Sequence, residues 1–171
     1  MFFPRLESWF AVQVVPQHEK QVASMLEYKG YEHFLPTYLS KRYWSDRVKV
    51  LERPLFPGYV FCRLREMSLG SVCMTPGVVR ILGAGPNSTS IPDAEIEAIA
   101  RAVRSGLDIC PFIPYARVGQ HVRVKQGPLA GIVGRLIQIK NRTRLVLAVE
   151  VAFKAITVDI DAAEVTPLEY A

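Results

Sequence analysis

The stretch Val122-Arg123-Val124-Lys125-Gln126-Gly127-Pro128-Leu129-Ala130-Gly131-Ile132-Val133-Gly134 decides how the C-terminal part of the chain folds. Val122 and Val124 alternate with His121, Arg123 and Lys125, the period of a strand with one face buried. Gly127-Pro128 breaks that run, and Gly131 and Gly134 bracket the β-branched return through Ile132 and Val133. Glycine permits positive φ and close backbone approach, which a strand needs where it turns tightly and re-enters a sheet. The same alternation recurs at Ile156, Val158 and Ile160 against Thr157, Asp159 and Asp161. Between them, residues 132–139 and 145–153 are β-branched runs separated by the Lys140-Asn141-Arg142-Thr143 turn. Short antiparallel strands of this kind close their edges most economically as a small β-barrel.

Upstream the pattern is mixed. Trp9, Phe10, Ala11, Val12, Gln13, Val14 and Val15 form an apolar run ended by Pro16, a buried strand. Residues 19–29 set Val22, Met25 and Leu26 at helical spacing, and Gly30 is placed to stop the helix. A strand over 31–35 follows. Residues 36–54 are polar and read as an exposed hairpin or long loop, with Lys41, Arg42, Arg47, Lys49 and Arg53 against Asp46 and Glu52, a net of +3. Strands over 55–64 and 78–82 precede a turn cluster at 83–87. Pro92 opens a second helix with Asp93, Glu95 and Glu97 in its early turns and Ile96, Ile99 and Val103 on one face, and Ser105-Gly106 ends it. Strand, helix, strand, strand, strand, helix predicts an α+β sandwich of ferredoxin-like type. Periodicity vanishes over 107–117, where Pro111 and Pro114 stand, and the domain boundary is placed there.

The chain has 171 residues, half of them hydrophobic, enough for one ordinary domain or two small ones with real cores. No apolar run has the length of a membrane span, and Met1-Phe2-Phe3-Pro4-Arg5 lacks the order of a signal peptide, so the expected compartment is the cytosol. Cys62, Cys73 and Cys110 form no Cys-x-x-Cys pair and read as small core residues. The net charge of +5 is uneven. Arg117, Arg123, Lys125, Arg135, Lys140, Arg142 and Arg144 share a window without Asp or Glu, a candidate polyanion-facing surface and equally a solvated basic face. No Gly-x-Ser-x-Gly, His-Glu-x-x-His or phosphate-cradling glycine motif is present, and His18, His33 and His121 are scattered, so an enzyme is not expected.

Strand, turn, spaced glycines and returning strand at 122–134 together resemble the KOW motif of SH3-like barrels in ribosomal proteins and transcription elongation factors. Glu52-Arg53-Pro54-Leu55-Phe56-Pro57-Gly58-Tyr59-Val60 resembles the strand entry of the N-terminal domain of NusG-type factors, and Trp9-Phe10-Ala11-Val12-Gln13 its first strand. Thr75-Pro76-Gly77-Val78 is similar to the turn before a later strand of that domain. Ala152-Phe153-Lys154-Ala155 with Val158-Asp159 is similar to the closing strands of the barrel. The resemblance runs in order over residues 8–167 and is to the NusG family, including specialised paralogs such as RfaH.

The resemblance implies a bacterial, cytoplasmic, monomeric factor without a cofactor that rides on transcribing RNA polymerase and reduces pausing or termination. Its domains would be a polymerase-binding domain over 7–106, a linker over 107–117 and a KOW barrel over 118–171. The surface for the clamp helices of the largest polymerase subunit would draw on Trp9, Phe56, Pro57, Gly58, Tyr59 and Ile81, each of which packing or turn geometry alone also explains. Lys41, Arg42, Arg47, Lys49, Ser71 and Arg80 would contact nucleic acid or the far side of the cleft. The barrel would recruit a small-subunit ribosomal protein or Rho through Gly127, Pro128, Leu129, Ile132 and Phe153. Leu129 stands where the family often has an aromatic residue. A ribosome-associated RNA-binding protein is the competing reading, since the same barrel serves ribosomal proteins. In RfaH the C-terminal domain can fold as a helical hairpin; the β-branched runs here favour the barrel.

Overall fold

A computed structural model of the chain describes residues 7–43, 47–84, 89–112, 119–139 and 141–168. In chain order the elements are β1 (Ser8–Val14), α1 (Glu19–Tyr28), β2 (His33–Phe34), β3 (Thr37–Tyr43), β4 (Val48–Pro54), β5 (Tyr59–Leu64), α2 (Leu69–Cys73), β6 (Val78–Leu82), α3 (Asp93–Arg104), β7 (Ile109–Phe112), β8 (Gln120–Val124), β9 (Val133–Ile139), β10 (Arg142–Val149), β11 (Lys154–Asp159) and β12 (Val165–Pro167). The chain is therefore mixed α/β, sheets with few helices. Contacts group it into two compact units, Met1–Leu35 with Phe56–Asp93, and Pro36–Leu55 with Ala94–Ala171. No helix among the described residues is long and apolar enough to cross a membrane.

The first unit is built on an antiparallel sheet of order β2-β5-β1-β6. Directly opposed residues share a face. Register therefore puts Phe10 and Val12 with Cys62, Val60 and Ile81 on the side filled by Val22, Ala23 and Leu26 of α1. Trp9, Ala11 and Phe61, with Phe34 of β2, belong to the other side, where the Phe56 ring meets Phe61 edge-on at 5.1 Å between centroids. Residues 9–12 are consequently all buried. A strand covered on both faces reads as an unbroken apolar run, as this one does, because no position needs to be polar.

Two elements differ from the expected ones here. The strand expected over 55–64 begins only at Tyr59, since Tyr59 N–H closes a turn onto the Phe56 carbonyl at 3.0 Å and Pro57 has no N–H for a ladder. Helix α2 was not legible: five residues make no readable period, and its anchor is the single buried Val72.

The second unit holds a six-stranded antiparallel sheet of order β12-β8-β9-β10-β11-β7 and a separate two-stranded ribbon, β3-β4. Leu145, Leu147, Ile156 and Val158 are buried at its centre beside Val122 and Val124. β7 falls in the stretch read as a linker. It pairs Ile109 with Val158 and Phe112 with Ala155, and Pro111 is tolerated because β7 is the edge strand and the missing N–H interrupts no inner ladder. The rest of that stretch, 113–117, lies outside the described residues.

The loop from β8 to β9 follows the glycine argument closely. Gly127 and Gly131 have φ of 81° and 84°, and Gly131 N–H reaches back to Val124 O at 2.8 Å while Val124 N–H reaches Ile132 O at 2.9 Å. Gly134 serves close approach instead: a Cβ there would stand 2.6 Å from the carbonyl oxygen of Val146. Gly134→Ala must push β9 from β10, an overpacking cost of about 1–3 kcal/mol. Chemical or thermal melts should show that loss, and an unchanged midpoint would refute the packing argument.

Candidate functional site

The turn between β4 and β5 is held from two sides. Glu19, the first residue of α1, is only 5% exposed, and its Oε1 accepts from Gly58 N–H at 2.8 Å. At the end of β1, Val14 N–H donates to Gly58 O at 2.8 Å. A carboxylate taken out of water needs such a donor, and the amide it uses here is the one that shapes the turn. Pro57 is exposed and Tyr59 half-buried. Register sets Gln13 opposite both Tyr59 and Arg80, so the three share one sheet face, and Arg80 Nε donates to Gln13 Oε1 at 2.7 Å. This end of the sheet thus presents a proline, a phenol, an amide and a guanidinium to solvent.

The six residues expected to form one surface are not brought together. Trp9, Phe56 and Ile81 are 7%, 1% and 7% exposed. Ile81 faces α1 on the opposite side of the sheet from Trp9 and Tyr59. Each of these three apolar side chains finds cover inside the protein, which leaves Pro57, Gly58 and Tyr59 as the accessible members. Gln13 was missed, and its signal was a polar residue inside an otherwise apolar strand.

Among the expected nucleic-acid contacts, Lys41, Arg47 and Lys49 are exposed on or beside the ribbon, and of Arg42 only the backbone is described. Ser71 lies on α2 of the first unit, its carbonyl accepting from Lys29 Nζ at 3.1 Å. The basic window is less available than its composition suggested. Arg144 is 7% exposed and lies 3.0 Å from Asp159 Oδ1, while its Nη2 donates to the Asp108 carbonyl at 3.0 Å. Arg142 pairs with Asp159 at 2.9 Å. Arg123 and Lys125 remain exposed, and Arg117 and Lys140 lie outside the described residues.

In the loop of the second unit, Gly127 and Pro128 are exposed but Leu129 and Ile132 are 1% and 7% exposed. Phe153, by contrast, is 71% exposed in a left-handed conformation at φ 50°. Arg101 of α3 donates from Nη2 to Pro128 O and Ala130 O, each at 2.8 Å. Glu95, one and a half turns earlier on α3, has its carboxyl raised above the usual range, first by burial and also by the Glu150 carboxylate, against a backbone hydrogen bond from Glu150 that lowers it. These two polar side chains tie α3 to the C-terminal strands. In the sequence Glu95 marked only the acidic start of a helix, and nothing singled out Arg101. The described residues contain no cluster that could hold a metal ion, and the buried Cys62 thiol is pushed up to about 12, by burial first and then by Glu32, so it stays protonated and inert.

A family model described as "Transcription termination factor nusG" matches residues 7–100. The chain is 27% identical to the transcription termination/antitermination protein NusG of Neisseria meningitidis serogroup B over 93% of its length and 97% of the relative's. It is 28% identical to the protein of the same name from Thermus thermophilus over 92% and 96%. Among solved structures, one described as "Domain interaction in Thermotoga maritima NusG" aligns with a TM-score of 0.55 at 20% identity, covering 96% of this chain and 98% of that one.

Glu19→Ala removes the acceptor of a part-buried amide and should cost about 1–3 kcal/mol while speeding hydrogen exchange at Gly58. Glu19→Gln keeps a carbonyl acceptor and should restore the protection; equal exchange in both variants would exclude the role. For Glu95 the ionised form is the penalised one, so native stability falls as pH rises from the ordinary 4.5 through the raised range. Glu95→Gln should therefore melt above the native chain at about pH 8 and lose that advantage near about pH 4. A gap that is equal at both pH values would contradict the assignment.

Proposed function

The chain belongs to the NusG family, and from that premise we propose that it binds RNA polymerase through the Pro57-Gly58-Tyr59 turn and its Gln13 and Arg80 neighbours. It is a transcription termination/antitermination factor and not an enzyme. The observation that carries the polymerase reading is the construction of the turn. A buried carboxylate and a strand amide hold Gly58 while the adjoining proline is exposed and the tyrosine half-buried. A rigid aromatic beside a proline buries area at little conformational cost, as interface anchors do.

In this reading the first sheet with its helices is a ferredoxin-like sandwich over residues 7–106, followed by a linker at 107–117. Strands β8 to β12 of the six-stranded sheet are the core of an SH3-like KOW barrel over 118–171, with β7 added to its edge from the linker stretch. The polymerase element would be the clamp helices of the largest subunit, bridged so that pausing or termination is reduced. The barrel's second partner would be a small-subunit ribosomal protein or Rho, with Phe153 and Pro128 as its accessible contacts. Lys41, Arg47 and Lys49 are positioned in the sequence next to this turn and supply charge for upstream or single-stranded DNA. A bacterial, cytoplasmic monomer fits all of these roles.

Tyr59→Ala should weaken binding to core RNA polymerase about tenfold, the loss of one anchor, with an unchanged melting point. Phe56→Ala is a different experiment, because removing that buried ring should destabilise the fold by about 3–5 kcal/mol. Retention of the native chain on ribosomal RNA but not on core polymerase at moderate salt would replace this function with a ribosome-associated one.

A further inference from the structure

Strand β7 lies along the outer edge of the six-stranded sheet, and among the described residues it pairs with β11 alone. The phase of that pairing follows from one hydrogen bond, in which Asp159 N–H donates to the Asp108 carbonyl at 2.9 Å. Antiparallel pairs alternate between bonded and non-bonded. With Val158 opposite Ile109, the bonded pairs are therefore Asp108 with Asp159, Cys110 with Thr157 and Phe112 with Ala155. On the other side of β11, Ile160 N–H donates to the Thr143 carbonyl at 3.2 Å, and the same alternation turns the amides of Ile156 and Val158 toward β10. The amides of Ala155, Thr157 and Asp159 are turned toward β7. Pro111 stands opposite Ile156 in a non-bonded pair, where an N–H would point away from β11. The proline costs this ladder nothing and denies a donor to any strand arriving from outside.

The strand is shallow and its fastening comes from across the sheet. β11 is buried from Ala155 to Val158, whereas Ile109, Cys110 and Pro111 are half-buried. Arg144 reaches from β10 over β11, and its Nη2 donates to the Asp108 carbonyl at 3.0 Å and to the Thr157 carbonyl at 3.3 Å. Its Nη1 lies 3.4 Å from Asp108 Oδ2, and Arg142 Nη1 lies 3.5 Å from the same oxygen. Cys110 Sγ meets the hydroxyl of the buried Thr157 at 3.3 Å. By register Ile109 and Pro111 take the face of Val158 and Ile156.

We propose that the β11 edge is a docking site for an extended peptide and that residues 108–112 are its resident occupant, a strap that leaves while the other five strands stay folded. With the strap gone, the amides of Ala155, Thr157 and Asp159 and their facing carbonyls form an open strand edge. Such edges take up extended chains through main-chain hydrogen bonds, and alternate side chains set the specificity. The occupant displays that specificity in the order Asp108-Ile109-Cys110-Pro111. It places a carboxylate at Arg142 and Arg144, an apolar residue opposite Val158, a small side chain against Thr157 and an apolar residue opposite Ile156. Opening costs less than unfolding because the strap is half-buried and the Asp108 carboxylate that clasps it is 61% exposed. The device works whether or not the chain is on polymerase.

Amide hydrogen exchange on the full-length chain reads the strap directly. Peeling of β7 frees Ala155, Thr157 and Asp159 ahead of Ile156 and Val158, whereas opening of the whole sheet frees both sets together. Cys110→Pro deletes a donor that faces β11 and should speed the first set about tenfold while leaving Ile156 and Val158 unchanged. Asp108→Ala keeps the ladder and removes only the clasping carboxylate; it should speed the same set about two- to fivefold, and it serves if the proline variant does not fold. A synthetic peptide of residues 107–112 carrying Cys110→Ser, added in large excess to the Cys110→Pro chain, should return slow exchange to Ala155, Thr157 and Asp159. The same peptide with Asp108→Ala and Ile109→Ser should not. Both sets exchanging together in the native chain and in Asp108→Ala would make β7 an integral strand and overturn the strap. A native-sequence peptide that protects nothing would overturn the docking site.

Discussion

Burial of β1 on both faces constrains everything else in the first unit. Covering Phe10 and Val12 demands a helix, which α1 supplies through Val22 and Leu26. Covering Trp9 and Ala11 demands aromatic filling, which Phe34, Phe56 and Phe61 supply. Once both layers are packed, the apolar residues near the β4-β5 turn are already committed. What reaches solvent is what packing did not need: Pro57, part of Tyr59, and the polar pair Gln13 and Arg80. The candidate site is thus the residue left over from a closed core, and its geometry is rigid because the core is.

The same constraint explains what could be read in the sequence. Long periodic elements were legible: α1 and α3 fall within a residue or two of the expected helices, and β6 occupies 78–82 as read, because Val22 and Leu26 or Ile96 and Ile99 must recur at the spacing of the face they bury. The five-residue α2 was not, since it makes no readable period, while β2 was read over 31–35 and keeps only the two residues that pair with β5. β7 was hidden by Pro111, since a proline argues against a strand in general and not against an edge strand. The site was half legible. The Phe56–Tyr59 motif marked the turn, but alternation separates core from surface only in a sheet with one wet face, so nothing in the pattern told Phe56 and Ile81 from Tyr59.

Charge was the least legible property. A window of cations without carboxylates suggested a free basic surface, yet the partners of Arg142 and Arg144 come from Asp108 and Asp159, outside that window in sequence and brought to it by the β10-β11 and β11-β7 pairings. Arg101 and Glu95 invert the lesson. Glu95 read only as an acidic residue early in a helix and Arg101 was not singled out, yet both anchor the helix, Arg101 through two loop carbonyls and Glu95 through a carboxyl that burial makes reluctant to ionise. A buried arginine satisfied by carbonyls and carboxylates contributes position more than energy, because desolvation offsets most of its attraction.

That internal neutralisation of Arg142 and Arg144 bears on how the chain would sense ionic strength. A cation already compensated by its own protein holds few mobile counter-ions, so meeting a polyanion releases few from it. Among the described residues the electrostatic reach into solution rests instead on exposed cations such as Lys41, Arg47 and Lys49 on or beside the ribbon, Arg80, Arg123 and Lys125. Salt in the medium acts on exposed cations of this kind, and the count of cations in the basic window overstates what a passing nucleic acid would feel.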